Sequence, residues 1–299
     1  MKKLFFLILL SVTHAWSAPI NELGLYLVQS PYGLDWRSPS TLISSAVKNR
    51  LSFQSHFMGH AWVELSCEKE HHLTGMTDEG PDYLNQLLFE QRGLGILFHS
   101  FGGRLEKKEE ILKQREELFE EGRIHFVKFK LNRAQCQRTV KYLNEYRKMN
   151  IGRFYGLANR PRHGEGAGSS AFAASFVDVL NILDQDMKES WSQTVKIPFE
   201  LAGLPLSENK VSLLKLIRFS GSWAKESEKY HMLTFWDPDL MVQWVKKKIN
   251  VNSADYSVLK IKNSKGVMID KSHFPVPEGP IWLQRLDPKN PKRTALVGP

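Results

Sequence analysis

Residues 164–183, GEGAGSSAFAASFVDVLNIL, constrain this chain more than any other stretch. Glycines lack a Cβ and take up tight, left-handed backbone freely, and the apolar run behind them has the content of a buried helix. Ser169 and Ser170 fall in the first turn of that helix. Serine is a favoured N-cap because its side-chain oxygen accepts a free amide of the first turn, so capping alone accounts for the pattern. The same geometry suits a nucleophile. Helix-start amides stabilise a developing oxyanion, and glycines such as Gly168 let a bound group approach the backbone.

The beginning of the chain bears on where it works. Lys2 and Lys3 precede the apolar run LFFLILLSV and the small residues of THAWSAP, the pattern of a secretory signal peptide. The run is too short to span a bilayer. Cleavage after Ala15 or Ser17 fits best, since cutting after Ala18 would put Pro19 directly past the bond. Residues 1–17 are thus read as a signal peptide, with a secreted or periplasmic protein as the product. No cysteine follows the run, so a lipid anchor is not indicated, and no later stretch is apolar for long enough to cross a membrane. The formal charge of +9 loses two units with Lys2 and Lys3. The remaining basic excess suits an anionic envelope surface, or plain solubility. Interleaved Arg and aromatic patches that bind nucleic acid are absent.

Strand and helix patterns alternate without repeats. Residues 23–29 read as a strand, and Ser38-Pro39 opens a helix to Arg50. GHAWVELSC alternates, with Ala61, Val63 and Leu65 on one face and His60, Trp62, Glu64 and Ser66 on the other. EKE reads as a turn and HHLTGMT as the return strand. A helix over 81–91 and a strand at LGILFHS follow. The charged stretch 105–121 reads as a solvated helix, RIHFVKFKL as a strand, and Asn132 as the cap of a helix to Met149. Beyond Pro198 the patterns weaken to a segment at KVSLLKLIRF, a helix entered by Asp237-Pro238, and strands near YSVLKIKN and GVMIDKS. The hairpin favours an α+β fold, with a small antiparallel sheet packed on helices over 18–200 and a C-terminal extension, 201–299, packed on that domain.

A nucleophile needs a base. His60 opens the alternating strand behind Met58-Gly59 and is the best placed histidine. Asp78 and His72 on the return strand are candidates to orient it, and Asp78 is favoured if residues near Thr77 fall opposite His60. Trp62 and His163 are candidate cleft residues, and the spaced tryptophans would suit sugar rings or simply the core. A rival site uses metal, because His56, His60, Cys67, His71 and His72 lie within seventeen residues and zinc takes such ligands. Neither CxxC nor HExxH spacing is present, so no metal and no cofactor is expected. Cys67 and Cys136 are the only cysteines; in an oxidising compartment they can pair, and neither has the surroundings of a primed thiolate.

GHAWVEL followed much later by GAGSSAFAASFVDVL resembles the circularly permuted branch of the papain-like superfamily. That branch includes relatives of NlpC-type cell-wall peptidases and of lecithin retinol acyltransferase. The resemblance covers roughly residues 55–185, and Tyr155 and Leu157 match its aromatic-led segment upstream of the nucleophile. It implies a permuted papain-like fold and a site for cleaving or transferring an amide or ester acyl group, with cell-wall peptides as the first ligand class and lipid acyl groups as the second. The family's helix opens Cys-Ser-x-Phe. Here Ser169-Ser170-Ala171-Phe172 stands in that pattern, with Ser169 where the cysteine belongs. A thiol at a helix start beside a histidine ionises near neutrality, whereas a hydroxyl is far less acidic and half a unit of helix charge does not bridge the gap. Two readings follow: a binding protein whose chemistry is impaired, which is favoured, and a serine-dependent hydrolase or acyltransferase using Ser169 and His60.

Overall fold

The computed structural model describes residues 21–52, 56, 58–80, 86–251, 253–283 and 296–297. The signal-peptide segment 1–17 lies outside the described residues, as does the start of the helix expected over 81–91. The fold is α+β. Its main sheet has eight strands rather than the few expected, in the order β6-β4-β3-β2-β1-β5-β10-β9. These are β1 (Asn21–Val28), β2 (His60–Cys67), β3 (Glu70–Asp78), β4 (Phe101–Leu105), β5 (Ile124–Lys130), β6 (Phe154–Tyr155), β9 (Tyr256–Ile261) and β10 (Ser264–Asp270). All pairs are antiparallel except β10 on β5. A second sheet of three strands joins β7 (Ser192–Pro198), β8 (Tyr230–Trp236) and β11 (Leu296–Val297).

The helices form where caps and apolar spacing coincide. Among the described residues they are α1 (Pro39–Leu51), α2 (Lys108–Glu120), α3 (Arg133–Lys148), α4 (Ser169–Val179), α5 (Gln185–Trp191), α6 (Leu213–Arg218) and α7 (Pro238–Ile249). Ser38 and Asn132 each make a reciprocal capping box, with Thr41 and Gln135 respectively, which satisfies two otherwise free amides at each start. Asp237 caps α7.

The alternation read in β2 is correct in parity, but both faces are covered. Ala61, Val63 and Leu65 lie in one buried cluster with Leu143 of α3, Phe172 and Phe176 of α4, and Val242 of α7. Trp62 lies in another, with Tyr26, Leu73, and Ile111 and Leu118 of α2. The charged helix is therefore only half solvated, because its apolar stripe closes the second face.

Two further expectations change. Segment 201–299 is interleaved with the rest rather than laid on it: β9 and β10 extend the main sheet, and β8 pairs with β7. LGILFHS is not a strand but a 3-10 turn over Leu94–Phe98. Gly93 enters it in the left-handed region at φ 54°, and the backbone of 203–204 crowds Gly95. Cys67 and Cys136 form a disulfide that ties the end of β2 to α3.

Candidate active site

The hairpin register sets up the first half of the site. Trp62 pairs with Gly75 across β2 and β3, and Met76 pairs with Leu105 across β3 and β4. One more step along this ladder brings Glu106 beside Gly75, where its amide donates to the Gly75 carbonyl at 2.9 Å. Gly75 has no side chain for a reason. A methyl carbon there would stand 2.7 Å from Trp62 Cδ1 and would strike the Glu106 carboxylate. The cleared space lets Glu106 Oε2 accept from His60 Nε2 at 2.7 Å and from Trp62 Nε1 at 3.1 Å. His60 is 4% exposed and Glu106 7%.

Burial acts to raise the Glu106 carboxyl. The charge and hydrogen bond of His60 and the indole N–H of Trp62 outweigh it and hold the group below the usual carboxylate range. The imidazole is thus anchored through Nε2. A second imidazole covers its face. His56 stacks on His60 with ring centroids 4.2 Å apart, stands edge-on to Trp62, and donates from Nε2 to Gln114 Oε1 at 2.6 Å. Burial first, and the neighbouring His60 second, push His56 down to about 3.

The second half of the site is the start of α4, which packs against β2 and β3. Gly168 is the N-cap and no side chain caps the helix, so neither serine serves as its cap. Ser170 Oγ donates instead to the Trp236 carbonyl at 2.5 Å. The Ser169 hydroxyl and backbone amide face the hydroxyl of Tyr155. Burial dominates there and raises the Tyr155 hydroxyl, as does the charge of nearby Asp78. Asp78 is itself raised by burial, while His60 draws it back down.

The two halves lie on opposite faces of the main sheet. His60 and Glu106 belong to the α2 face of the sheet, whereas Asp78, Tyr155 and Ser169 belong to the α4 face. Yet Asp78 feels the charge of His60, and Tyr155 feels that of Glu106. Among the described residues no hydrogen bond joins His60 to Ser169.

Of the residues proposed to orient His60, neither does so. His72 sits opposite Leu65, five residues along the strand from His60 and so about 16 Å away. It contacts Glu70 and Arg147 there. Asp78 is a neighbour, bonded to Thr77. The orienting group is Glu106, which lies ahead of the charged helix and is buried rather than part of a solvated face. Its signal was the short run FGGRL just before it, a strand that composition disguises with two glycines.

Trp62 is fully buried and donates to Glu106, so its ring is not a stacking surface. His163 lies in a short turn, Pro161–His163, that packs on α4. The histidine-rich stretch does not converge on a metal. His71 bonds Glu64, His72 bonds Glu70 and Cys67 is in the disulfide. Among the described residues no three His, Cys, Asp or Glu side chains are placed to hold an ion. A search for similar proteins found no matching family model, no matching curated protein and no matching solved structure.

Proposed function

We propose that this is an exported, envelope-associated protein of papain-like ancestry that binds cell-wall peptides or acyl groups without turning them over. The observation that carries the reading is the pairing at the two halves of the site. The histidine remains anchored, with His60 held by Glu106. The hydroxyl in the nucleophile position faces Tyr155 and makes no hydrogen bond to that histidine. A serine attacks an acyl carbon only when a base takes its proton during the reaction. Buried against a tyrosine hydroxyl, Ser169 instead offers a polar wall. The leading ligands are cell-wall peptides, because a basic exported chain is drawn to the anionic envelope; lipid acyl groups are the second class.

The test is a fluorophosphonate probe, which labels serines activated by a base. The purified protein stays unlabelled and indistinguishable from Ser169→Ala. Stoichiometric labelling that disappears in a folded Ser169→Ala protein contradicts the reading and establishes the serine hydrolase alternative.

A further inference from the structure

Two stretches of the chain, 36–63 and 209–225, contain no aspartate or glutamate, while lysines and arginines recur in both. The fold brings them together. α1, from the first stretch, contacts α6, from the second. Trp223 Nε1 donates to the Trp36 carbonyl at 2.5 Å, and the two indoles stack with centroids 6.4 Å apart. Leu42 and Ile43 of α1 and Leu216 of α6 are buried in one apolar cluster, so both helices turn their outward sides to solvent over the same core. Asp35, just outside the first stretch, is paired with Arg37.

Those outward sides are apolar as well as basic. Leu51 is 64% exposed and Leu214 53%, and Val47 and Ile217 are exposed as well. Val47 and Leu51 are one turn apart on α1, and Leu214 and Ile217 one turn apart on α6, so each pair forms a ridge. Lys48, Arg50, Lys215 and Arg218 interleave with them, all exposed. The exposed Tyr32 is fixed against α1: its amide donates to Asn49 Oδ1 at 2.9 Å, and Lys48 Nζ stands 4.2 Å from its ring centroid. Between ring and helix lies an open depression of about 370 Å³, lined by Tyr32, Ser44, Val47, Lys48, Leu51 and Ser52. Large apolar side chains grouped on a surface mark a place where something docks.

The chemistry of the patch selects the partner. A hydrated anionic polymer satisfies the cations but offers the leucines nothing. A second copy covers the leucines, but a twofold interface sets the same patch against itself. Cations would then face cations, with no carboxylate on either helix to separate them. An anionic bilayer meets both requirements, with phosphate headgroups for the lysines and arginines and acyl chains for the apolar ridges. Tyrosine at the border suits such an interface.

We infer that α1, α6 and the Tyr32 turn form a docking face for an anionic phospholipid bilayer, on which the protein lies without crossing it, and that the depression beside Lys48 seats a phosphate headgroup. The inference uses neither His60 nor Ser169, so it stands or falls apart from the reading of that site.

The test is sedimentation of the full protein with sucrose-loaded vesicles, one set of mixed phosphatidylglycerol and phosphatidylcholine and one of phosphatidylcholine alone. Partitioning onto the mixed vesicles should exceed that onto phosphatidylcholine at least about tenfold and should fall about tenfold at high salt. Leu51→Ser with Leu214→Ser removes apolar contact, and Lys48→Gln with Lys215→Gln removes charge; each pair should weaken partitioning about tenfold or more. All four side chains are exposed, so the core is untouched. Lys260→Gln with Lys265→Gln makes the same charge change on the β9–β10 hairpin and should leave partitioning within about twofold. Failure to bind the mixed vesicles, equal binding to both kinds, or an equal loss in the hairpin variant overturns the docking face. So does dimerisation in analytical ultracentrifugation that Leu51→Ser with Leu214→Ser abolishes, which assigns the face to a second copy.

Discussion

Glu106 is the residue on which the geometry of the site turns, and Glu106→Gln perturbs it with the least change in volume. The carboxylate is 7% exposed and accepts two N–H groups through one oxygen, from His60 at 2.7 Å and from Trp62 at 3.1 Å. A hydrogen bond to a charged group contributes about 1.5–3 kcal/mol. The amide oxygen of glutamine still accepts one of the two donors, so the expected loss of stability is about 2 kcal/mol. His60→Ala leaves the carboxylate buried with only the indole as partner, and removing one member of a buried pair costs about 3–5 kcal/mol. The double variant should lose less than the sum, because both single changes break the same contact. Urea unfolding at several pH values measures all three. The Glu106 carboxyl lies below its ordinary 4.5 in the folded protein. Its contribution is therefore complete above that value and fades as pH falls through the lower folded value. The gap between wild type and Glu106→Gln should accordingly narrow in acid. A loss under about 0.5 kcal/mol at neutral pH, the scale of an ordinary surface change, or a gap that widens in acid, refutes the placement of Glu106 as the anchor of His60.

The remaining predictions concern the disulfide and the second histidine. Cys67 and Cys136 are 69 residues apart, and closing a loop of that length in the unfolded chain stabilises the fold by about 4 kcal/mol; urea midpoints with and without reductant test this, and a difference under about 1 kcal/mol contradicts it. His56 is held neutral, down to about 3 against an ordinary 6.5. The unfolded chain thus takes up a proton that the folded one refuses, and stability drains away as pH falls from 6.5 toward 3. His56→Phe keeps a ring against His60 but cannot titrate, so its thermal midpoint should fall less steeply over that range. An unchanged slope shows that His56 is not held neutral.

Local signals foretold the elements they control. Ser38-Pro39, Asn132 and Asp237-Pro238 each mark a helix start seen in the structure, because a cap is a contact within four residues. The β2–β3 hairpin was legible from its alternation, although the α2 face proved to be buried too. What stayed hidden depends on contacts far apart in the chain. β4 carries two glycines and looks like a loop until β3 pairs with it, and β7 and β8 are recognisable mainly through each other. LGILF has strand composition, but the backbone around Gly203 bends it into a 3-10 turn. The site followed the same division. His60 and Ser169 were visible as a strand start and a helix start. Glu106 gains its role only from the register of three strands, which no single segment contains.

The most direct measurement combines binding and turnover in one vessel. Purified cell-wall sacculi are incubated with the protein, co-sedimentation gives the bound fraction, and chromatography of the soluble phase with intact-mass analysis of the protein detects released peptide or an acyl adduct. Saturable co-sedimentation with no released peptide and an unchanged protein mass is the predicted result. Released peptide, or an adduct on Ser169, contradicts a site that binds without chemistry, and the absence of any saturable association contradicts a site for cell-wall ligands.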